Sequence, residues 1–189
     1  MKIYLASVSP RRKSLLRKAG IKIQVIEPDY EEKNNARLSP LALTKKHALG
    51  KAFSAAHKIK QGILISADTV VYLNGKILGK PKNRRHALKM LLNLCGKWHQ
   101  VVTGVVLLKI ENEKIRKKIV FSEKSSVYLN HFNTNEIQKY FNRVNALDKA
   151  GAYAAQSDHF GLVREIRGSF TNVVGLPMEK LKNKLDVLK

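Results

Sequence analysis

Two long strand-like runs, Trp98 to Ile110 and Lys114 to Leu129, are joined only by Glu111-Asn112-Glu113. Three residues can turn a chain back on itself but cannot make the crossover that parallel neighbours require. The pair therefore predicts a long antiparallel hairpin and argues against a purely doubly wound parallel sheet. Around it, strand and helix signals mix. Lys2 to Ala6 suits a buried strand, and the turn Ser7-Val8-Ser9-Pro10 opens a helix with Ser9 as N-cap and Pro10 at its first position. Leu15, Leu16 and Ala19 give that helix an apolar stripe and Gly20 ends it. Ile21 to Ile26 reads as a second strand, Glu27 to Arg37 as an acidic polar loop, and Leu41 to His57 as a helix entered through Ser39-Pro40. Ile63 to Leu73 reads as an interior strand, turned by Asn74-Gly75 into Lys76-Ile77-Leu78. Asn83 caps a helix through Leu94, Asn133 or Thr134 caps one to about Asn142, and a Gly-containing segment from Asp148 to Gly175 leads into a final helix from Leu176. The expectation is a mixed α/β fold, a mixed sheet with helices around it, in one domain spanning residues 1–189.

Charge narrows the partners. The 36 Lys+Arg outnumber the 14 Asp+Glu, a formal net charge of +22 that attracts phosphate-bearing molecules of any kind without selecting among them. A basic nucleic-acid-binding protein is the rival reading this charge motivates, with salt-sensitive, non-specific association as its sign. The aromatic-bearing motifs of known nucleic-acid modules are missing. The first residues resemble neither a signal peptide nor a membrane span, and the single Cys95 has no internal disulfide partner, so a cytoplasmic setting without membrane attachment is expected.

Several segments could carry chemistry. Ala6 to Lys13 places Ser7, Ser9, Arg11 and Arg12 at a helix N-terminus, where free amides and guanidinium forks favour phosphate oxygens. Gly75-Lys76-Ile77-Leu78-Gly79-Lys80-Pro81 is one residue short of a phosphate-binding P-loop and has proline where the metal-binding hydroxyl belongs, but Lys80 could still present an ammonium to a phosphate. Asp68 is the one carboxylate in its apolar strand. Buried, it must pair with a cation, hold a metal or hold a proton, and it could accept a proton from water. Asp29-Tyr30-Glu31-Glu32 concentrates acid in a basic chain and, with Asp68, could hold a divalent ion. Asp148 and Lys149 read as a local charge pair, and Gln156 could read the edge of a base. His47, His86, His99 and His159 show no zinc spacing and read as surface or packing residues.

Together these segments resemble the Maf family of nucleoside triphosphate pyrophosphatases, also described as septum formation inhibitors. The resemblance runs through Leu5-Ala6-Ser7-Val8-Ser9-Pro10-Arg11-Arg12, Glu31-Glu32, Lys51-Ala52, Ala67-Asp68-Thr69-Val70-Val71, Gly79-Lys80-Pro81, His99 to Val105, Asp148 to Tyr153 and Asn172 to Pro177. It implies an elongated mixed sheet flanked by helices, with two lobes around a cleft, similar to the inosine triphosphate pyrophosphatases. A divalent metal (Mg²⁺ or Mn²⁺), a homodimer and the cytoplasm are implied as well. By that resemblance Asp68 is the catalytic proton acceptor, Arg11, Thr69 and Gln156 set substrate choice, Ser7, Arg12, Lys51 and Lys80 line the phosphate site, and Glu32 with Asp68 holds the metal. The set Arg11, Thr69, Gln156 resembles the branch acting on dTTP and UTP rather than the one acting on 7-methyl-GTP. Ala154 to Gly161 is bulkier and more polar than the family's usual glycine-rich run, which extends the candidate substrates to modified pyrimidine nucleotides. A division regulator that uses the fold without turnover is the remaining alternative.

Overall fold

The computed structural model describes residues 1–33, 38–157 and 160–188. The acidic loop expected over 27–37 is thus described as far as Lys33, while Asp158, His159 and Lys189 lie outside the described residues. The strands are β1 (Ile3–Ala6), β2 (Gln24–Val25), β3 (Gly62–Leu73), β4 (Lys76–Leu78), β5 (Trp98–Glu111), β6 (Lys114–Leu129) and β7 (Val163–Arg167). The helices are α1 (Pro10–Lys18), α2 (Pro40–Ala56), α3 (Arg84–Leu94), α4 (Thr134–Arg143), α5 (Phe170–Val174) and α6 (Met178–Asp186). The strands form one seven-stranded sheet in the order β2-β1-β3-β5-β6-β7, with β4 paired to β3. β1 runs parallel to β2 and β3, and every other pairing is antiparallel, including the expected β5–β6 hairpin.

Three expectations are corrected. The second strand shrinks to two exposed residues at the sheet edge, where one side of the ladder has no partner to extend it. The segment from Asp148 to Gly175, read without strand or helix, holds β7 against β6 and the short α5, which ends at Gly175 with φ 122°, while the final helix expected from Leu176 forms as α6. Ser9 occupies the cap position of α1 without a side-chain cap bond; Ser7 Oγ accepts the Ser9 N–H at 3.2 Å instead. The other caps form as read, with Asn83 accepting from the His86 N–H and Asn133 closing a capping box with Glu136.

Alternation along β3 sorts its residues between two layers. Ile63, Ile65 and Ala67 face Leu16 of α1 and Leu181 and Leu185 of α6, while Leu64 faces Ala48, Ala52 and Ala55 of α2. Asp68 therefore shares the α2 side with Leu64 and Ser66, whose hydroxyl donates to the Ala48 carbonyl at 2.8 Å. Opposite Asp68 in the ladder stands Gly104 of β5, where a Cβ would lie 2.5 Å from the Thr44 carbonyl carbon. Only a residue without a side chain lets α2 lie this close to the sheet, and that closeness brings Lys51 to Asp68.

Candidate functional site

A cavity of about 610 Å³ opens along the C-terminal half of β3, a volume suited to a nucleotide-sized ligand. Its floor is Asp68, 5% exposed. Of the three fates expected for such a carboxylate, the structure shows cation pairing: Lys51 Nζ donates to Asp68 Oδ1 at 2.7 Å and contacts Glu32 Oε1 at 2.5 Å. Burial alone would raise the Glu32 carboxyl, but Lys51, with help from Lys80 and His47, holds it below the usual range. One ammonium between two carboxylates leaves a net negative charge facing the cavity. Among the described residues no three His, Cys, Asp or Glu side chains gather to cage a metal. Two convergent carboxylates beside an open cavity nevertheless fit Mg²⁺ or Mn²⁺, which commonly take one or two carboxylates and complete the shell with water and substrate oxygens.

Thr69 points to the opposite layer, where Arg12 organises the phosphate-favouring corner. Buried Arg12 donates from Nε to the Gly175 carbonyl at 2.9 Å, from one terminal nitrogen to Ser7 Oγ at 3.2 Å and from the other to Thr69 Oγ1 at 3.0 Å. Thr69 Oγ1 also shares a 3.0 Å hydrogen bond with Thr103, its ladder partner. All three Arg12 acceptors are neutral, so its charge is left for an anion in the cavity. Arg11 is held differently, by bonds of 2.8 Å to the Asp148 carboxylate and 2.9 Å to the Asp148 carbonyl. Asp148, read as a local partner of Lys149, therefore ties α1 to the far wall. Burial pushes its carboxyl up, but Lys149 and Arg11 outweigh that and hold it low. Lys80 stands exposed at the rim, and Gln156 lies exposed in a short 3-10 turn over Ala155–Ser157.

The nine residues to which the family resemblance assigned a role (Ser7, Arg11, Arg12, Glu32, Lys51, Asp68, Thr69, Lys80 and Gln156) all line this cavity. Sequence reasoning missed Tyr30 and His47, which line it too, and the carbonyl of Gly175 that orients Arg12. Gly50 in the middle of α2 was the available signal for the first two, because an interior helical glycine is unfavourable unless something packs closely against it.

The far wall is braced by Tyr153, whose hydroxyl shares a 2.7 Å hydrogen bond with buried His99 Nε2, and by Tyr140, whose hydroxyl accepts the Ala154 N–H at 2.8 Å. Burial pushes His99 down to about 4, only partly offset by the nearby Lys97 backbone. An unfolded chain protonates His99 from about pH 6.5 downwards, the folded chain only below about 4, so stability falls as pH drops through that window. The loss is on the order of 3 kcal/mol when complete. His99→Gln, which cannot charge, is expected to narrow its stability gap to the wild type as pH falls from 7 to 4.5. Denaturant unfolding at both pH values checks this, and a constant gap refutes it.

The Maf-like protein family model matches residues 2–188. The dTTP/UTP pyrophosphatase of Dictyoglomus turgidum is 40% identical over 185 residues, covering 97% of this chain and 94% of that protein. The dTTP/UTP pyrophosphatase of Clostridium botulinum is 43% identical over 188 residues, covering 98% of each. Among solved structures, the Ham1 protein of Staphylococcus aureus aligns over the whole of both chains with a TM-score of 0.54 at 16% identity, a likeness of fold. That likeness agrees with the expected inosine triphosphate pyrophosphatase-like architecture. With a matching family model over almost its full length and relatives at this identity, the chain belongs to the Maf family.

Proposed function

We propose that this protein hydrolyses pyrimidine nucleoside triphosphates, dTTP and UTP foremost and modified pyrimidine nucleotides among the candidates, to the monophosphate and pyrophosphate. The observation that carries this is the buried Asp68–Lys51 pair, joined by the more exposed Glu32, at the floor of a cavity whose other walls present Arg11, Arg12 and Lys80. A water held by Asp68 attacks the α-phosphorus and passes a proton to that carboxylate. An oxygen–phosphorus bond forms there as the bond from the α-phosphorus to the bridging oxygen breaks, and pyrophosphate leaves. Arg12, Lys80 and the amides at the start of α1 hold the phosphate chain and stabilise charge on the leaving group. A divalent cation bound by Glu32 and Asp68 would supply further neutralisation of phosphate charge. In this reading Arg11, Thr69 and Gln156, which line the same cavity, set the choice of base.

The cytoplasmic setting and the homodimer implied by the family resemblance belong to the same reading; no helix among the described residues is long and apolar enough to cross a membrane. A nucleic-acid-binding protein would need the surface charge but not a buried carboxylate at a cavity floor. Pyrophosphate release from a panel of nucleoside triphosphates with Mg²⁺ or Mn²⁺ tests the proposal. The expected result is kcat/KM for dTTP and UTP at least about 10-fold above purine triphosphates and 7-methyl-GTP. Equal rates on purines and pyrimidines would remove the specificity assignment, and no turnover at all would remove the enzyme.

A further inference from the structure

Helix α2 meets the acidic loop at three points. His47 and Lys51 stand four residues apart on one face, with Gly50 beside them. Lys51 holds Glu32 and Asp68. His47 Nδ1 shares a 3.0 Å hydrogen bond with Tyr30 Oη, and the two rings meet edge-on at 5.8 Å between centroids. Gly50 supplies the hollow into which the Tyr30 ring fits, since a Cβ there would lie 2.0 Å from its Cε2. His47 is 2% exposed, and its other nitrogen, Nε2, is buried without a hydrogen-bond partner among the described residues. A leucine would fill the same space without that desolvation cost. The imidazole therefore has its use in the bond to Tyr30.

We propose that Tyr30, His47 and Gly50 form a clasp that positions Glu32 independently of Lys51. Residues 27–33 adopt no helix or strand, so the loop depends on its contacts with α2. Of these, the Glu32–Lys51 pair is the one that the proposed reaction disturbs, because a divalent cation shared by Glu32 and Asp68 competes with the ammonium for the same oxygens. Tyr30 lies two residues from Glu32, and its socket has no part in that exchange. When Lys51 yields its carboxylates, the clasp keeps Glu32 over the cavity floor. Tyr30 and His47 are positioning residues, and the inference rests on the proposed hydrolysis for its catalytic consequence.

The test compares wild type with Tyr30→Phe, His47→Leu and Gly50→Ala, with His47→Asn restoring a hydrogen-bonding group near the position of Nδ1. The Mn²⁺ concentration giving half-maximal dTTP turnover is expected to rise roughly 10-fold in the first three variants, with KM for dTTP at saturating Mn²⁺ changing less than about 2-fold. His47→Asn should recover most of the loss. Mn²⁺ binding in the presence of the non-hydrolysable α,β-imido analogue of dTTP, followed by electron paramagnetic resonance, should weaken to the same extent without any turnover being needed. Tyr30→Phe and His47→Leu with wild-type Mn²⁺ constants in both experiments would overturn the clasp, as would a rise in KM with those constants unchanged. A wild type that hydrolyses no triphosphate would refute the proposed reaction instead, and the resonance titration would still decide the clasp.

Discussion

Asp68→Asn is expected to lower kcat for dTTP roughly 10³-fold while leaving KM within a few-fold and the fold intact. Asparagine keeps the size of the side chain and still offers Lys51 an oxygen in place of Asp68 Oδ1, the acceptor now at 2.7 Å. It cannot take a proton from water. The ammonium it faces remains paired with Glu32, so the substitution does not strand a buried charge. A purely structural ion pair predicts the reverse: a lower melting temperature with turnover per folded molecule preserved. Pyrophosphate release and thermal melting, measured on the same preparation, separate the two. Retention of more than about a tenth of wild-type kcat would remove Asp68 as the proton acceptor.

The long hairpin, the Asn83 and Asn133 caps and the burial of Asp68 were legible because each rests on neighbours in sequence. β7 was not. Val163–Arg167 is mostly polar and half-exposed, and it becomes a strand only through pairing with Ser126 to Leu129 of β6. The site divides the same way. Candidate residues could be picked out by type and by resemblance, but their partners could not, since Arg12 meets the Gly175 carbonyl across 163 positions and Lys51 meets Asp68 across 17. Those contacts follow from α2 settling on Gly104 and from the turn after α5 closing over α1, which are consequences of packing. His47 had no spacing of its own to mark it; Gly50 signalled that something packs closely on α2, but that the packed group is Tyr30, bonded to His47, follows from the loop folding back onto the helix.

Lys51→Met is expected to make the protein's stability depend on divalent cations. The wild-type ammonium, 8% exposed, bridges an Asp68 carboxylate that is 7% exposed and a Glu32 carboxylate that is 37% exposed, offsetting one of their two negative charges. Methionine fills much of the same channel but leaves two carboxylates facing each other, one of them almost wholly buried. Removing one partner of a buried pair costs about 3–5 kcal/mol, with the lower end applying here because Glu32 is partly solvated. For a chain of 189 residues that lowers the melting temperature by roughly 6–12 °C in chelator. Added Mg²⁺ or Mn²⁺ binds the folded state and should recover much of the loss, stabilising the variant more than the wild type, which already carries its own cation. Lys51→Arg should not substitute, because a planar fork cannot occupy the point that a compact ammonium shares between the two carboxylates. Differential scanning fluorimetry across a Mg²⁺ titration measures both effects. A variant that melts within about 1 °C of the wild type in chelator, with the same response to Mg²⁺, would mean that the two carboxylates do not form a cation site at all.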